Sequence, residues 1–186
     1  MASADVKRII FREVMEGDLR KFTATSADAD TGGGARDFRF TPFDKFDGVF
    51  ARALAGREKV QRVRQGVRTI VTLYTATASI PRNDGTTATK ELRFEPPTTA
   101  RDGEGRLAQL SKFGLEPPTG KGRYLLLIIE DASGNVILTF FSEQDLAGGM
   151  WHSAVNKFFK QVFGKPPKKN ATQGYIDFER QTQWIK

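Results

Sequence analysis

The sequence predicts a mainly β domain with peripheral helices, and three features support that prediction. Residues 69–80 are rich in β-branched side chains, which favour strands. Residues 123–143 contain two strongly apolar runs around Asp-Ala-Ser-Gly-Asn, which is the pattern of a β-hairpin. Apolar and polar side chains alternate in residues 36–42 and 88–96, as they do in strands with one buried face. These segments predict a core made of strands.

The first part of the chain contains two further predicted elements. Residues 11–25 place Gly17-Asp18 between two short runs, which predicts the start of a hairpin. Residues 43–55 predict an amphipathic helix that stops at Gly56, because large apolar side chains recur there at helical spacing. Those apolar side chains belong to Phe43, Phe46, Phe50 and Leu54.

The second part of the chain predicts two helices and a last strand. Residues 96–123 form a long connection with four of the eight prolines, and one short helix is predicted inside it at residues 106–114. A longer amphipathic helix is predicted at residues 152–164, and a single strand is predicted at residues 174–186. The inward positions of the longer helix are Val155, Phe158, Phe159 and Val162.

The chain length suits one domain, because single hydrophobic cores commonly serve about 100 to 200 residues. Apolar residues make up 39% of the 186 residues and include 15 phenylalanines, enough for a packed core. We interpret residues 1–186 as a single domain, with its core in residues 10–150. Residues 151–186 form a basic helix-plus-strand extension, in which seven Lys and Arg against two acids give a net charge of +5.

The charge of the whole chain favours a polyanionic partner. The net charge is +7 and the isoelectric point is about 9.8, which attracts nucleic acid above all and acidic membranes second. The sequence contains no run of roughly 20 apolar residues and no secretion signal at its start. We therefore expect a cytoplasmic protein that does not enter a membrane.

Catalytic and metal-binding patterns are missing from the sequence. A restriction-type nuclease core needs Glu-x-Lys or Asp-x-Lys, because its carboxylates hold magnesium. Glu-x-Lys does not occur, and the one Asp-x-Lys, Asp5-Val6-Lys7, lies at the N-terminus. The chain has no cysteine and a single histidine, His152, which leaves little for zinc. We expect no enzymatic activity, no metal and no cofactor.

Three groups of residues are candidates for DNA contact. The first lies around the glycines at 32–34, the second lies in residues 88–96, and the third is the basic run from residue 57 to residue 68. Basic side chains hold phosphates, while guanidinium and carboxylate groups can also bond base edges. The candidates are Arg20, Lys21, Arg36 and Arg39; Lys90, Glu91 and Arg93; and Arg57, Arg62 and Arg64 as phosphate contacts.

Each group also has a structural interpretation. Glu91 and Arg93 share one face of the predicted strand and could form a cross-strand salt bridge. The basic run from residue 57 to residue 68 could be a solvated face that binds nothing. Both interpretations stay open at the level of sequence.

The order of these segments resembles the N-terminal effector-DNA-binding domain of EcoRII-type restriction endonucleases. The resemblance extends over residues 10–150: RKFTATSADADTGGGARDFRFTP, a helix, a long strand, KELRF, a glycine-rich connection and the hairpin YLLLIIEDASGNVILTFF. The family has the DNA-binding pseudobarrel fold, a seven-stranded open barrel that plant B-three transcription factors share. The resemblance implies that fold here. The catalytic domain of those endonucleases has no counterpart in the chain.

The resemblance also implies a function. Two arms, residues 20–39 and 82–95, would clasp the major groove of double-stranded DNA and recognise a specific sequence. Such a module would serve a bacterial restriction or anti-phage system, with a separate nuclease or other defence protein as a partner. Two alternatives remain, a small metal-dependent nuclease with an unrecognised carboxylate site and a basic protein-interaction module.

Overall fold

A computed structural model describes residues 6–23, 37–64, 66–99, 102–116, 122–148, 153–166 and 170–186, and the side chains of Thr23 and Arg64 are outside this description. Strands account for 48% of the structure and helices for 24%, which confirms the predicted mainly β class. His152, Arg36 and the glycines at 32–34 lie outside the described residues.

The described residues form ten strands and four α-helices. The strands are β1 Val6–Val14, β2 Phe38–Phe40, β3 Gly56–Arg64, β4 Val67–Pro81, β5 Thr87–Glu95, β6 Gly105–Leu107, β7 Tyr124–Asp131, β8 Val136–Ser142, β9 Gln173–Asp177 and β10 Thr182–Ile185. The helices are α1 Arg20–Thr23, α2 Asp47–Ala53, α3 Glu143–Ala147 and α4 Ser153–Phe163. Short 3₁₀ helices occur at Glu16–Asp18, Phe43–Lys45 and Leu110–Phe113.

All ten strands belong to one sheet, which curls into an open half-barrel. Its order is β10-β9-β1-β7-β8-β4-β5-β6-β2, and β3 pairs with β4 off this path. The pairings are antiparallel except for a short parallel contact, in which Ala78 and Ser79 of β4 meet Val136 and Ile137 of β8. Since β9 pairs with β1, the C-terminal strands are part of the main sheet rather than an extension beside it.

Apolar side chains pack on both faces of the sheet. Ile10 belongs to a cluster with Phe50 and Phe94, which α2 covers. Its neighbour Ile9 points to the other face and belongs to a second cluster with Phe159 of α4. Strands buried on both faces need continuous apolar sequence, and this requirement explains the unbroken run at the centre of the predicted hairpin of residues 123–143. The hairpin prediction is confirmed by β7 and β8.

A buried ion-pair network connects the C-terminal strands to the rest of the sheet. Arg8 of β1 binds Glu130 of β7, lies 3.1 Å from Asp177 of β9 and also pairs with Glu179. Asp177 is fully buried and accepts a second hydrogen bond, of 2.8 Å, from Arg52 of α2. Burial alone would raise the pKa of Asp177, but hydrogen bonds from Arg52 and its neighbours hold that pKa below its usual value.

The predicted hairpin start at residues 11–25 is wrong. The first strand runs unbroken to Val14 and the chain then enters two short helical turns. Asp18 causes the change of direction, because its carboxylate accepts hydrogen bonds from the backbone N–H of Met15 and from Arg12. The local bonds therefore close a helical turn where a hairpin was expected.

Two predictions in the second part of the chain are also wrong. Residues 174–186 form two strands because Asp177 accepts the backbone N–H of Arg180 and Gln181 takes a positive φ of 53°, which turns the chain back. Residues 106–114 belong to β6 and a 3₁₀ helix rather than one helix, since Gln109 interrupts them with a φ of 60°. The helices predicted at 43–55 and 152–164 are confirmed, the first as a 3₁₀ turn followed by α2. None of the helices in the described part of the chain is long and apolar enough to cross a membrane.

The Asp177→Asn substitution should lower the free energy of unfolding by about 3 kcal/mol at pH 7, because it leaves the buried guanidinium of Arg8 and the partly buried one of Arg52 without a full counter-charge. The folded-state pKa of Asp177 is lowered, so the stabilisation exists above the unfolded pKa and is lost as the pH falls through the folded one. The difference from the parent protein should therefore shrink in acid. Urea unfolding at pH 7 and pH 3 measures it.

The exposed Asp102→Asn substitution is the matched control for the loss of one carboxylate charge, and it should leave stability nearly unchanged at both pH values. Equal stability of Asp177→Asn and Asp102→Asn at pH 7 would contradict the structural role of the network.

Candidate nucleic-acid interface

The long strand β4 extends beyond the sheet. Its residues from Tyr74 to Pro81 pair with β5, whereas its residues from Val67 to Thr75 pair with β3. The part of β4 before Tyr74 therefore has β3 as its one neighbour in register. Residues 57–73 form a two-stranded hairpin that we call the basic ribbon. At about 3.4 Å per residue, its seven paired positions beyond Tyr74 span roughly 20 Å.

The pairing register assigns each side chain of the basic ribbon to one of two faces, because directly opposite residues in antiparallel strands share a face. The Gln61 face contains the pairs Arg57–Tyr74, Lys59–Thr72, Gln61–Ile70 and Val63–Arg68. The Arg62 face contains the pairs Glu58–Leu73, Val60–Val71 and Arg62–Thr69, together with Val67.

Positive charge dominates the basic ribbon. It contains five cationic residues against the single acid Glu58, and the cations are Arg57, Lys59, Arg62, Arg64 and Arg68. Lys59 and Arg68 are exposed, and neither forms an ion pair with another described residue. Charges that the fold leaves unpaired in this way are available to a ligand.

Arg57 lies at the base of the ribbon and is bound by the protein itself. Its guanidinium donates hydrogen bonds to the carbonyls of Ala51, Leu54 and Gly56 at 2.7 to 2.9 Å. It also lies 4.3 Å from the centre of the Tyr74 ring. The carbonyls of Ala51 and Leu54 are at the C-terminal end of α2, where cations are favourable. The predicted phosphate contact therefore holds the ribbon to the helix.

Tyr74 forms the other half of this anchor. Its hydroxyl donates a 2.6 Å hydrogen bond to Asp47 at the start of α2. Burial, followed by that hydrogen bond, raises the pKa of Tyr74 to about 12. The base of the ribbon is thus attached to both ends of α2, at Asp47 through Tyr74 and at Leu54 through Arg57.

Arg62 of the ribbon and Arg93 of β5 lie on the same face of the sheet. Arg62 is 54% exposed and its guanidinium is 3.6 Å from Glu95. Arg93 donates a 2.6 Å hydrogen bond to Glu91 and lies 3.4 Å from Glu58 of β3. The hydrogen bond to Glu91, opposed by partial burial and helped by the Glu58 charge, raises the pKa of Arg93. The structure thus contains the salt bridge that was the structural interpretation of Glu91 and Arg93.

The segment expected to form the second arm, residues 82–95, is part of the sheet. After a turn at Arg82–Thr86, β5 pairs with β4 along its length, and Leu92 and Phe94 are buried in the core. Lys90 is exposed on this strand. The hairpin that extends beyond the sheet is the basic ribbon instead.

The first group of candidates, around the glycines at 32–34, also contains both a residue held within the fold and residues on the surface. Lys21 forms a 2.5 Å ion pair with Asp18 and lies over the ring of Phe38, with its side chain 15% exposed. Burial raises the pKa of Asp18, but Arg12 and Lys21 together hold it below its usual value. Lys21 is therefore held within the fold.

The remaining members of that group are on the surface or outside the described residues. Arg20 is exposed at the start of α1. Arg39 is 51% exposed on β2, 3.6 Å from Glu104. Arg36 is outside the described residues, so its expected DNA contact stays a prediction.

Sequence reasoning identified the basic run, Lys59 and Arg68 included, but it missed the shape of the ribbon and Gln61, and it singled out Arg57, Arg62 and Arg64 as the phosphate contacts. The sequence does contain an indication of this shape, because a glycine between two alternating runs is typical of a tight hairpin. That glycine is Gly66, which takes a positive φ of 78° in the turn. The prediction for this run rested on its charge and left out the strand-like alternation of its side chains.

No protein-family model matches the chain, and no curated protein matches it. In the part of the chain that the structure describes, no group of three or more acidic or histidine side chains is arranged to hold a metal ion.

The Arg57→Ala substitution should lower the free energy of unfolding by about 1 to 2 kcal/mol, because three backbone carbonyls and an aromatic ring lose their partner. Arg62→Ala removes the same charge from the same ribbon and should cost less than about 1 kcal/mol, since the Arg62 side chain is half exposed and its one ion pair, with Glu95, is long at 3.6 Å. Denaturant unfolding of both variants measures the difference. If Arg62→Ala were the more destabilising of the two, the anchor at the ribbon base would be wrong.

Proposed function

We propose that this protein binds double-stranded DNA and that the basic ribbon is its main contact surface. The observation that carries the proposal is the concentration of five cations against one acid on a two-stranded ribbon that extends beyond the sheet. The major groove, about 12 Å wide, accepts a two-stranded β-ribbon. Exposed cations on such a ribbon neutralise phosphates and release counterions, which favours binding.

The wider proposal follows from the resemblance to EcoRII-type effector domains. The curled, open sheet supports a DNA-binding pseudobarrel, although the described residues form ten strands where the seven-stranded type was expected. Within that proposal the basic ribbon takes the place of the second arm, and Arg20 and Arg39 belong to the first arm. The protein would recognise a DNA sequence for a bacterial restriction or anti-phage system in the cytoplasm, with a separate nuclease or other defence protein.

Duplex binding should depend strongly on salt. Four ribbon cations remain once Arg57 is assigned to the anchor, so the slope of log affinity against log salt should be about −4. The Arg62→Ala/Arg68→Ala double substitution should weaken binding to all sequences and reduce the slope by about 2, because each cation neutralises one phosphate. Fluorescence anisotropy of a labelled duplex between 50 and 200 mM salt, on the order of physiological strength, measures the slope.

Lys157→Ala/Lys160→Ala is the matched control, since it removes two exposed charges from α4, which packs on the other part of the sheet. The control should retain the parent slope. Equal losses in both double variants would show a general attraction of charge and would contradict the ribbon as the contact surface. Cleavage of plasmid DNA in magnesium would support the nuclease alternative, and a salt-independent affinity would contradict DNA binding through phosphates.

A further inference from the structure

The basic ribbon also carries an unusual set of apolar side chains. In the described part of the chain, the large hydrophobic residues with the greatest exposure are Val63 at 65%, Val67 at 62% and Ile70 at 73%. All three lie within eight consecutive residues of the ribbon. Single exposed hydrophobic residues are ordinary, but three together near the turn of one hairpin indicate a surface that binds something.

Two of these side chains form one patch. Val63 and Ile70 lie on the Gln61 face at diagonal positions of the register, which are about 7 to 8 Å apart. Val67 lies on the opposite face. The patch of Val63 and Ile70 is bordered by Lys59 towards the base and by Arg68 towards the turn.

The positions of the apolar and cationic side chains on this face indicate the chemistry of the ligand. Its centre must be apolar to cover Val63 and Ile70, and both flanks must be anionic to meet Lys59 and Arg68. The major groove of DNA has this arrangement, because the thymine C5-methyl group lies on its floor and phosphates line its two edges. Anionic lipid offers the same charges, but its apolar part lies beneath the headgroups and has no hydrogen-bonding groups for a side-chain amide.

Gln61 decides between these ligands. It lies directly opposite Ile70, so its amide and the alkyl group of Ile70 are adjacent on one face. A glutamine amide can donate to N7 and accept from the N6 amino group of adenine at the same time. The methyl group of the paired thymine is beside that adenine edge. One rung of the ribbon therefore presents partners for both halves of an A·T pair.

We propose that the Gln61 face reads A·T base pairs in the major groove, with Ile70 and Val63 against thymine methyl groups and Gln61 on adenine. The inference rests on the proposed DNA binding and adds the base pair that is recognised. Lys59 and Arg68 position the face on the phosphates, and Gln61 and Ile70 supply the discrimination.

The test replaces thymine by uracil, which removes the methyl group and leaves base pairing intact. Duplexes bound by the parent protein are selected from a random library, and the preferred one is resynthesised with uracil in both strands. The parent protein should bind it about fourfold less tightly for each methyl group lost from the patch. Ile70→Ala should lose the share of this difference that Ile70 supplies, about fourfold, and keep the share of Val63, whereas Ile70→Val should keep most of the whole difference.

Val67→Ala is the matched control, because it removes an exposed hydrophobic side chain from the other face of the same ribbon. It should respond to uracil as the parent protein does, and thermal unfolding should show that all three variants fold. Gln61→Ala should lose about tenfold in preference for A·T over G·C at one position of the site.

Two results would overturn the inference alone, and a third would overturn the proposed DNA binding as well. Equal binding of the thymine and uracil duplexes by the parent protein would overturn it, and so would an equal uracil effect in Ile70→Ala and Val67→Ala. Failure of the parent protein to bind any duplex, together with binding to vesicles of anionic lipid that Ile70→Ala abolishes, would overturn both the inference and the proposed DNA binding.

Discussion

The structure depends on one strand that is longer than its neighbours. β4 has fifteen residues, and its second half lies between β5 and β8 while its first half pairs with β3 alone. In the second half, Ala78 and Ile80 point into the core and are fully buried. In the first half the residues from Val67 to Ile70 are exposed, and burial begins again near the base of the hairpin at Leu73. Sheet and ribbon are consequently one continuous element, and the position of the ribbon is fixed by the core.

The base of the ribbon is held by polar contacts that the sequence alone presents as possible DNA contacts. Arg57 closes the end of α2, and Arg93 bonds Glu91 and approaches Glu58 across β4. These guanidinium groups are satisfied within the protein, whereas Lys59 and Arg68 further along the ribbon have no ion-pair partner among the described residues. Charges near the sheet therefore hold the ribbon in place, and charges beyond it remain available to phosphates.

Local pattern was sufficient where burial alone determines structure. The apolar runs of β7 and β8, the alternation of β2 and β5 and the helical spacing around Phe50 each predicted the observed element. Pattern failed where a side chain bonds a backbone N–H three residues away: Asp18 closes a helical turn after β1, and Asp177 turns the chain between β9 and β10. Such bonds depend on conformation as well as residue type.

The candidate site was predictable in charge but not in geometry. Arg57 and Arg62 lie in the same basic run of the sequence, and the end of α2, which separates their roles, comes close to Arg57 only after folding. In the same way, the ion pair with Asp18, which forms only after folding, gives Lys21 a role that the sequence does not distinguish from that of Arg20. The alternation that makes residues 57–73 a ribbon was visible, but the exposure of Ile70 on it requires knowing that no layer covers β4 there.

A tethered cleavage reagent tests most directly whether the ribbon lies on DNA. The chain has no cysteine, so an iron chelate can be attached at a single introduced thiol, either Val67→Cys in the ribbon or Thr87→Cys at the other end of β4. Thr87 of β5 pairs with Pro81, which is fourteen residues from Val67 along β4, a distance of roughly 45 Å. Thr87 belongs to the segment first expected to form an arm. Strand cleavage within the bound duplex from residue 67, and not from residue 87, is the predicted result. Cleavage from residue 87 alone would contradict the ribbon as the DNA-binding surface.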